Sequence, residues 1–153
     1  MNSSKLGSYY EEFDVGEVIR HELTKTIFES DNNIFSLLTM NHHPLHINRH
    51  YAEASQHGKI LVVGTLVFSL VVGITVPDIS GKAIANLEYQ NIKHIAPVFI
   101  GDTIHAETKV LKKRISNTHN DRGIVYVETV GFNQNNIPVI SFMRKVLIKM
   151  KII

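Results

Sequence analysis

Residues Ile60 to Val76 form a run of 17 residues without a single charge. Any fold of this chain must bury that run. It is at the lower limit of length for a membrane span, Gly64 and Gly73 interrupt it, and Pro77-Asp78 closes it. A buried core element is therefore expected rather than a span. Periodicity cannot separate helix from strand in so apolar a segment. Its valines favour strand and its length favours helix. A central helix is the expectation.

The rest of the chain supplies material to cover it. After Pro77-Asp78-Ile79-Ser80-Gly81 the texture becomes that of strands, over residues 82–94, 103–115, 123–133 and 138–151. Ile104, Ala106, Thr108 and Val110 alternate with His105, Glu107 and Lys109. Ile140, Phe142, Val146, Ile148 and Met150 share one face, with Arg144 the exception. A period of two means one face buried and one wet. Residues 117–122 and 133–136 read as hairpin connections.

Upstream, Phe13–Glu17 reads as a turn before a first strand, Val18–Thr26. Residues 29–33 offer capping side chains, and Ile34, Phe35, Leu37 and Leu38 give a short helix. Asn48–Ser55 suits one or two helical turns packed through Tyr51, Ala52 and Ala54. One strand, helices and then four strands is an α+β pattern. The expected architecture is a curved antiparallel sheet around one central helix. Residues 1–12 are expected to be loose and 13–153 to form a single domain, a size that suits one core.

Composition excludes several functions. The chain lacks cysteine, which rules out disulfides and thiolate metal sites. A net charge of +2, scattered along the sequence, gives no basis for nucleic-acid binding. Met1–Tyr10 lacks a basic segment followed by an apolar run, so no signal peptide is read and the cytoplasm is the expected compartment.

The chemistry concentrates just before the apolar run, in Thr39-Met40-Asn41-His42-His43-Pro44-Leu45-His46. Five histidines fall between His42 and His57. The i, i+4 pairs could hold a metal only on a continuous helix. Pro44 breaks the first pair and no nearby carboxylate completes a ligand set, so no metal is expected. His42, His50 and His57 read as exposed loop residues. His46 follows a Pro-Leu turn, where an imidazole can be held and aimed inward, and histidine is the commonest general base. Asn41 can donate and accept hydrogen bonds but cannot ionise. Gly64, near the helix start, would offer a free N–H with the helix dipole behind it, an oxyanion site open to close approach. It could equally serve close packing. A nucleophilic serine elbow, a phosphate loop and a dinucleotide fingerprint are all missing.

Residues Leu38 to His46 resemble the hydratase motif of the MaoC-like, R-specific enoyl-CoA hydratases, Leu-[Ser/Thr]-x-Asp-x-Asn-Pro-Leu-His. Val63-Gly64 falls at that family's His-Gly or Asn-Gly step. Pro97-Val98-Phe99-Ile100-Gly101-Asp102-Thr103 resembles its Pro-Val-Phe-x-Gly-Asp-Thr turn. The likeness covers about residues 13–148. It implies a hotdog fold, a homodimer or dimer-based oligomer, an acyl-CoA substrate with CoA as part of it and no cofactor besides, and addition of water to an enoyl thioester or its removal.

Position by position, the resemblance makes His46 the catalytic histidine and places Asn41 where the family has its catalytic aspartate. His43 stands at the motif asparagine, and Gly64 at the glycine that binds the thioester oxygen. Thr39 and Val63 flank these as substrate-binding positions. Asn41 departs from the pattern, so His46 must perform both proton transfers or another acid must help. Val72 stands where hydratases carry a serine. The wider pattern, Asp31-Asn32 and Ala85-Asn86-Leu87 included, looks like the branch that hydrates itaconyl-CoA or mesaconyl-CoA. The free carboxylate of such a substrate needs a cation, for which His43, Arg49 and Arg20 are candidates. The alternatives are a non-catalytic acyl-thioester-binding subunit and a thioesterase.

Overall fold

The computed structural model describes residues 6–151. Two short strands open the fold, β1 (Val18–Arg20) and β2 (Lys25–Thr26). Four helices follow, α1 (Glu29–Leu38), α2 (Pro44–Ile47), α3 (Arg49–Glu53) and α4 (Gly64–Thr75). Four long strands complete it, β3 (Ala83–His94), β4 (Thr103–Ile115), β5 (Arg122–Phe132) and β6 (Pro138–Lys149). The sheet is antiparallel in the order β1-β4-β5-β6-β3, with β2 also paired to β4.

The apolar run splits in two. Ile60–Val63 is not helical. Leu61 forms an isolated bridge with Phe99, and the Val62 N–H donates to the Val98 carbonyl. The helix begins only at Gly64. Val67, Val71, Ile74 and Thr75 point inward, the i, i+4, i+7, i+8 stripe of a helix lying on a sheet. Val67, Val71 and Ile74 meet Ile104, Ala106, Val139, Ile140 and Phe142 from the strands. Burying each such valine or isoleucine contributes about 1.5–3 kcal/mol. Gly131 lets the helix approach β5 closely: a Cβ there would stand 2.7 Å from Val71 Cγ2. The Phe68 and Phe142 rings pack edge to face at 4.9 Å.

Several local expectations are corrected. The first strand is not continuous over Val18–Thr26: it breaks over residues 21–24, although the His21 N–H still donates to the Ala106 carbonyl at 3.1 Å. The His21 ring is buried, with Nδ1–H donating to Asp78 Oδ2 at 2.6 Å and Nε2 lying 2.7 Å from Thr108 Oγ1. Helix α1 starts at Glu29 rather than Ile34, since the Asp31 carboxylate accepts from the Phe28 N–H and closes the first turn. Ala52 is the residue of α3 that packs, while Tyr51 and Ala54 face outward. The segment expected to be loose is packed over residues 6–12. The Gly7 N–H donates to the Pro77 carbonyl and Tyr10 is buried. Residues 1–5 lie outside the described residues.

Arg144 shares the inner face of β6 with Phe142 and Val146, and is 1% exposed. Its Nη2 donates to Thr75 Oγ1 at 3.1 Å, while Nε and Nη1 have no acceptor among the described residues. Burial pulls its guanidinium below the ordinary range, partly opposed by Tyr89 across the strand pair.

Candidate active site

The polar motif is held by a break between two helices. Helix α1 ends at Leu38. Met40 takes a left-handed conformation (φ 59°), which turns the chain so that the Asn41 N–H reaches the Ser36 carbonyl. Pro44 then opens α2 at the position where its missing N–H costs nothing. His43 caps that helix, its Nδ1 accepting from the Leu45 N–H at 3.1 Å. Thr39 turns its hydroxyl back onto the Phe35 carbonyl, 2.7 Å away.

His46 is half-buried on α2. Its Nδ1 lies 2.7 Å from the Leu61 carbonyl oxygen. A carbonyl can only accept, so Nδ1 carries the proton and Nε2 presents a free lone pair. The Leu61 N–H in turn donates to the Leu45 carbonyl at 3.3 Å. The segment leading into α4 is thus tied at both ends of the peptide to the helix bearing His46.

A second tie was not foreseen from sequence as part of the site. Asn32, 1% exposed on α1, donates from Nδ2 to the His46 carbonyl at 3.1 Å. Its Oδ1 accepts from the Val63 N–H at 2.9 Å. One buried amide therefore bridges the His46 backbone and the residue that caps α4. The only local signal for it is an asparagine on the inward face of an amphipathic helix, where an aliphatic residue would ordinarily pack.

Gly64 is the first residue of α4, and its N–H has no acceptor among the described residues. It lines a cleft of about 280 Å³ together with Leu61, Val67, His94, Pro97 and Val139. A Cβ built on Gly64 would stand 2.8 Å from His94 Cε1 and 3.2 Å from its Nε2. His94 ends β3, thirty residues beyond Gly64, and sheet pairing brings it here; no local motif marks it. Asn41 is half-buried, and its side-chain amide makes no hydrogen bond to another described residue. Among the described residues no group of three His, Asp or Glu could hold a metal, and no helix is long and apolar enough to cross a membrane.

The model of the MaoC like domain matches residues 12–131. The chain belongs to this family. It is 34% identical over 143 residues to a mesaconyl-CoA hydratase of Cereibacter sphaeroides, covering 94% of this chain and 41% of that protein. It is 35% identical over 143 residues to a beta-methylmalyl-CoA dehydratase of Chloroflexus aurantiacus, covering 94% and 40%. The MaoC-like chain thus spans about two fifths of the length of these curated relatives. A solved MaoC domain protein of Chloroflexus aurantiacus superposes with a TM-score of 0.92 at 32% identity, over 99% of this chain and 43% of that one. A Mycobacterium tuberculosis protein with a double hotdog fold superposes with a TM-score of 0.85 over 95% of this chain and 45% of its own, at 17% identity. The fold is a hotdog, the antiparallel sheet and central helix described above.

Proposed function

We propose that this MaoC-like domain is a hydratase/dehydratase acting on an enoyl-CoA thioester, with a short dicarboxylyl chain such as mesaconyl or itaconyl as its acyl group. One observation carries the reading: an imidazole with a fixed tautomer is tied through Asn32 and Leu61 to the N-terminal turn of α4, where Gly64 leaves a backbone N–H free. The Gly64 N–H polarises the thioester carbonyl, aided by the helix dipole. His46 Nε2 takes a proton from water, and the oxygen attacks the β-carbon. Asn41, whose amide is unspent, orients that water. Thr39 and His43 hold the turn that carries Asn41 and His46, and Val63 sets the entry of α4 beside the substrate. The two curated relatives with CoA-thioester names support the substrate class. CoA enters as part of the substrate, and a homodimer working in the cytoplasm completes the reading.

The test uses the purified chain with mesaconyl-CoA and crotonyl-CoA, following loss of the enoyl absorbance. His46→Ala should lower the rate by about 10²–10⁴-fold, the usual share of a positioned acid–base group. Undiminished hydration in that variant removes His46 from the mechanism. Asn41, which cannot ionise, favours one other reading, a subunit that binds acyl thioesters without turning them over. Tight binding without loss of absorbance selects that reading. Release of free CoA thiol would instead mark a thioesterase.

A further inference from the structure

Hydration of an enoyl thioester needs two proton transfers at different carbons. One group takes a proton from water as oxygen bonds to the β-carbon; another gives a proton to the α-carbon as the enolate collapses. Asn41 can do neither. Among the residues lining the cleft at Gly64, His94 is the one with an ionisable side chain. Its ring edge, Cε1 flanked by both nitrogens, faces the Gly64 Cα, with Nε2 at 3.2 Å and Nδ1 at 3.3 Å from where a Cβ would stand. A thioester oxygen bound at the Gly64 N–H has its α-carbon two bonds away, in the cleft that His94 also lines. His46 is not among those lining residues; it is tied to the cleft wall through Nδ1 on the carbonyl of Leu61, which does line it, and that leaves a single nitrogen for water.

We infer that His94 is a catalytic residue, the acid that protonates the α-carbon, and that the two histidines divide the work an aspartate and a histidine would otherwise share. The assignment rests on the hydratase reading above. The step balances. The His46 lone pair takes a proton from water and a C–O bond forms at the β-carbon. The π electrons move onto the thioester oxygen, held by Gly64. The imidazolium of His94 then delivers its N–H proton to the α-carbon as the carbonyl re-forms. His46 leaves the cycle protonated and His94 neutral, and exchange with water through the open cleft resets both. In dehydration His94 removes the α-proton and His46 protonates the departing hydroxyl.

His94 is exposed at the end of an edge strand, so its substitution leaves the core intact. The experiment compares the wild type, His94→Ala, His94→Gln and His46→Ala. It reads hydration of mesaconyl-CoA and crotonyl-CoA, the melting temperature, and solvent-deuterium uptake at the α-carbon of butyryl-CoA, which needs no attacking water. Both His94 variants should lose at least about 100-fold in hydration and in α-exchange. His46→Ala should lose hydration and keep exchange. Glutamine keeps a hydrogen-bond donor but cannot transfer a proton. Hydration or exchange near the wild-type rate in His94→Gln therefore overturns the assignment, as does loss accompanied by unfolding. A wild type that hydrates no enoyl thioester overturns the functional reading itself; an active wild type with an active His94→Gln overturns this assignment alone.

Discussion

Asn32 places more of the site than any residue that would touch substrate. Both ends of its amide are spent, one on the His46 carbonyl and one on the Val63 N–H. Asn32→Leu fills nearly the same volume but strands both backbone groups in a buried place. Each unpaired group costs about 1–3 kcal/mol, so a loss of roughly 2–4 kcal/mol is expected after partial relaxation. Denaturant melts measure it. The kinetic effect should fall on kcat more than on KM, since His46 and α4 lose their common tether while the cleft walls remain. Asn32→Asp is the sharper variant. It still accepts from Val63 but cannot donate to His46, and it buries a carboxylate, so it should be no more stable than Asn32→Leu. Wild-type stability in either variant would show that the amide bridge holds nothing in place.

Helix α1 begins where a single carboxylate does two jobs. Asp31 Oδ2 accepts from Lys25 Nζ at 2.7 Å and from the Phe28 N–H at 2.9 Å. Those hydrogen bonds, Lys25 first, hold its carboxyl below the ordinary range. A carboxyl depressed by folding stabilises above its unfolded value, and that stability is lost as pH falls through the depressed one. Acidifying from neutral pH to below the ordinary carboxylate range should therefore fray the first turn of α1. The pair is partly solvated, so the effect is a few tenths of a kcal/mol, visible as faster amide exchange at residues 29–32 rather than as global unfolding. Asp31→Asn should remove the pH dependence of that exchange.

Elements were legible in the sequence wherever period and punctuation agreed. The alternation of Ile104, Ala106, Thr108 and Val110 gives β4, and Pro44 gives the break before α2. Where tertiary contacts decided, the sequence was silent. Nothing local says that the first strand breaks where His21 turns its ring inward to Asp78, or that Ile60–Val63 is drawn straight by Val98 and Phe99 before the helix starts. The same holds for the site. His46 and Gly64 could be singled out as candidates from residue type and spacing. Asn32 and His94 are brought in by packing across 31 and 30 positions, distances over which a motif carries no information.

At the scale of the molecule, the sheet ends in a strand paired on one side alone. β3 borders β6 and has no other partner among the described residues. Ile84, Leu87 and Ile92 along it are exposed, as are Leu37, Leu38 and Met40 at the end of α1. A long edge strand with apolar side chains invites pairing with another strand, and isolated proteins seldom leave such an edge open. The curated relatives are more than twice as long as this stretch of chain, which leaves room in them for a further unit. For this chain alone the expected cover is a second copy, joined edge to edge along β3. Light scattering after size exclusion should give a dimer near twice 17.3 kDa. Leu87→Lys with Ile92→Lys places like charges along both edges and should shift the dimer towards monomer, more so at low salt than at high salt. His94 and Ile95 sit at the end of this strand and line the cleft, so hydration should fall together with the dimer fraction as the double variant is diluted. A double variant that remains dimeric would show that the two copies meet through another face, and full activity in a proven monomer would show that one copy builds the cleft unaided.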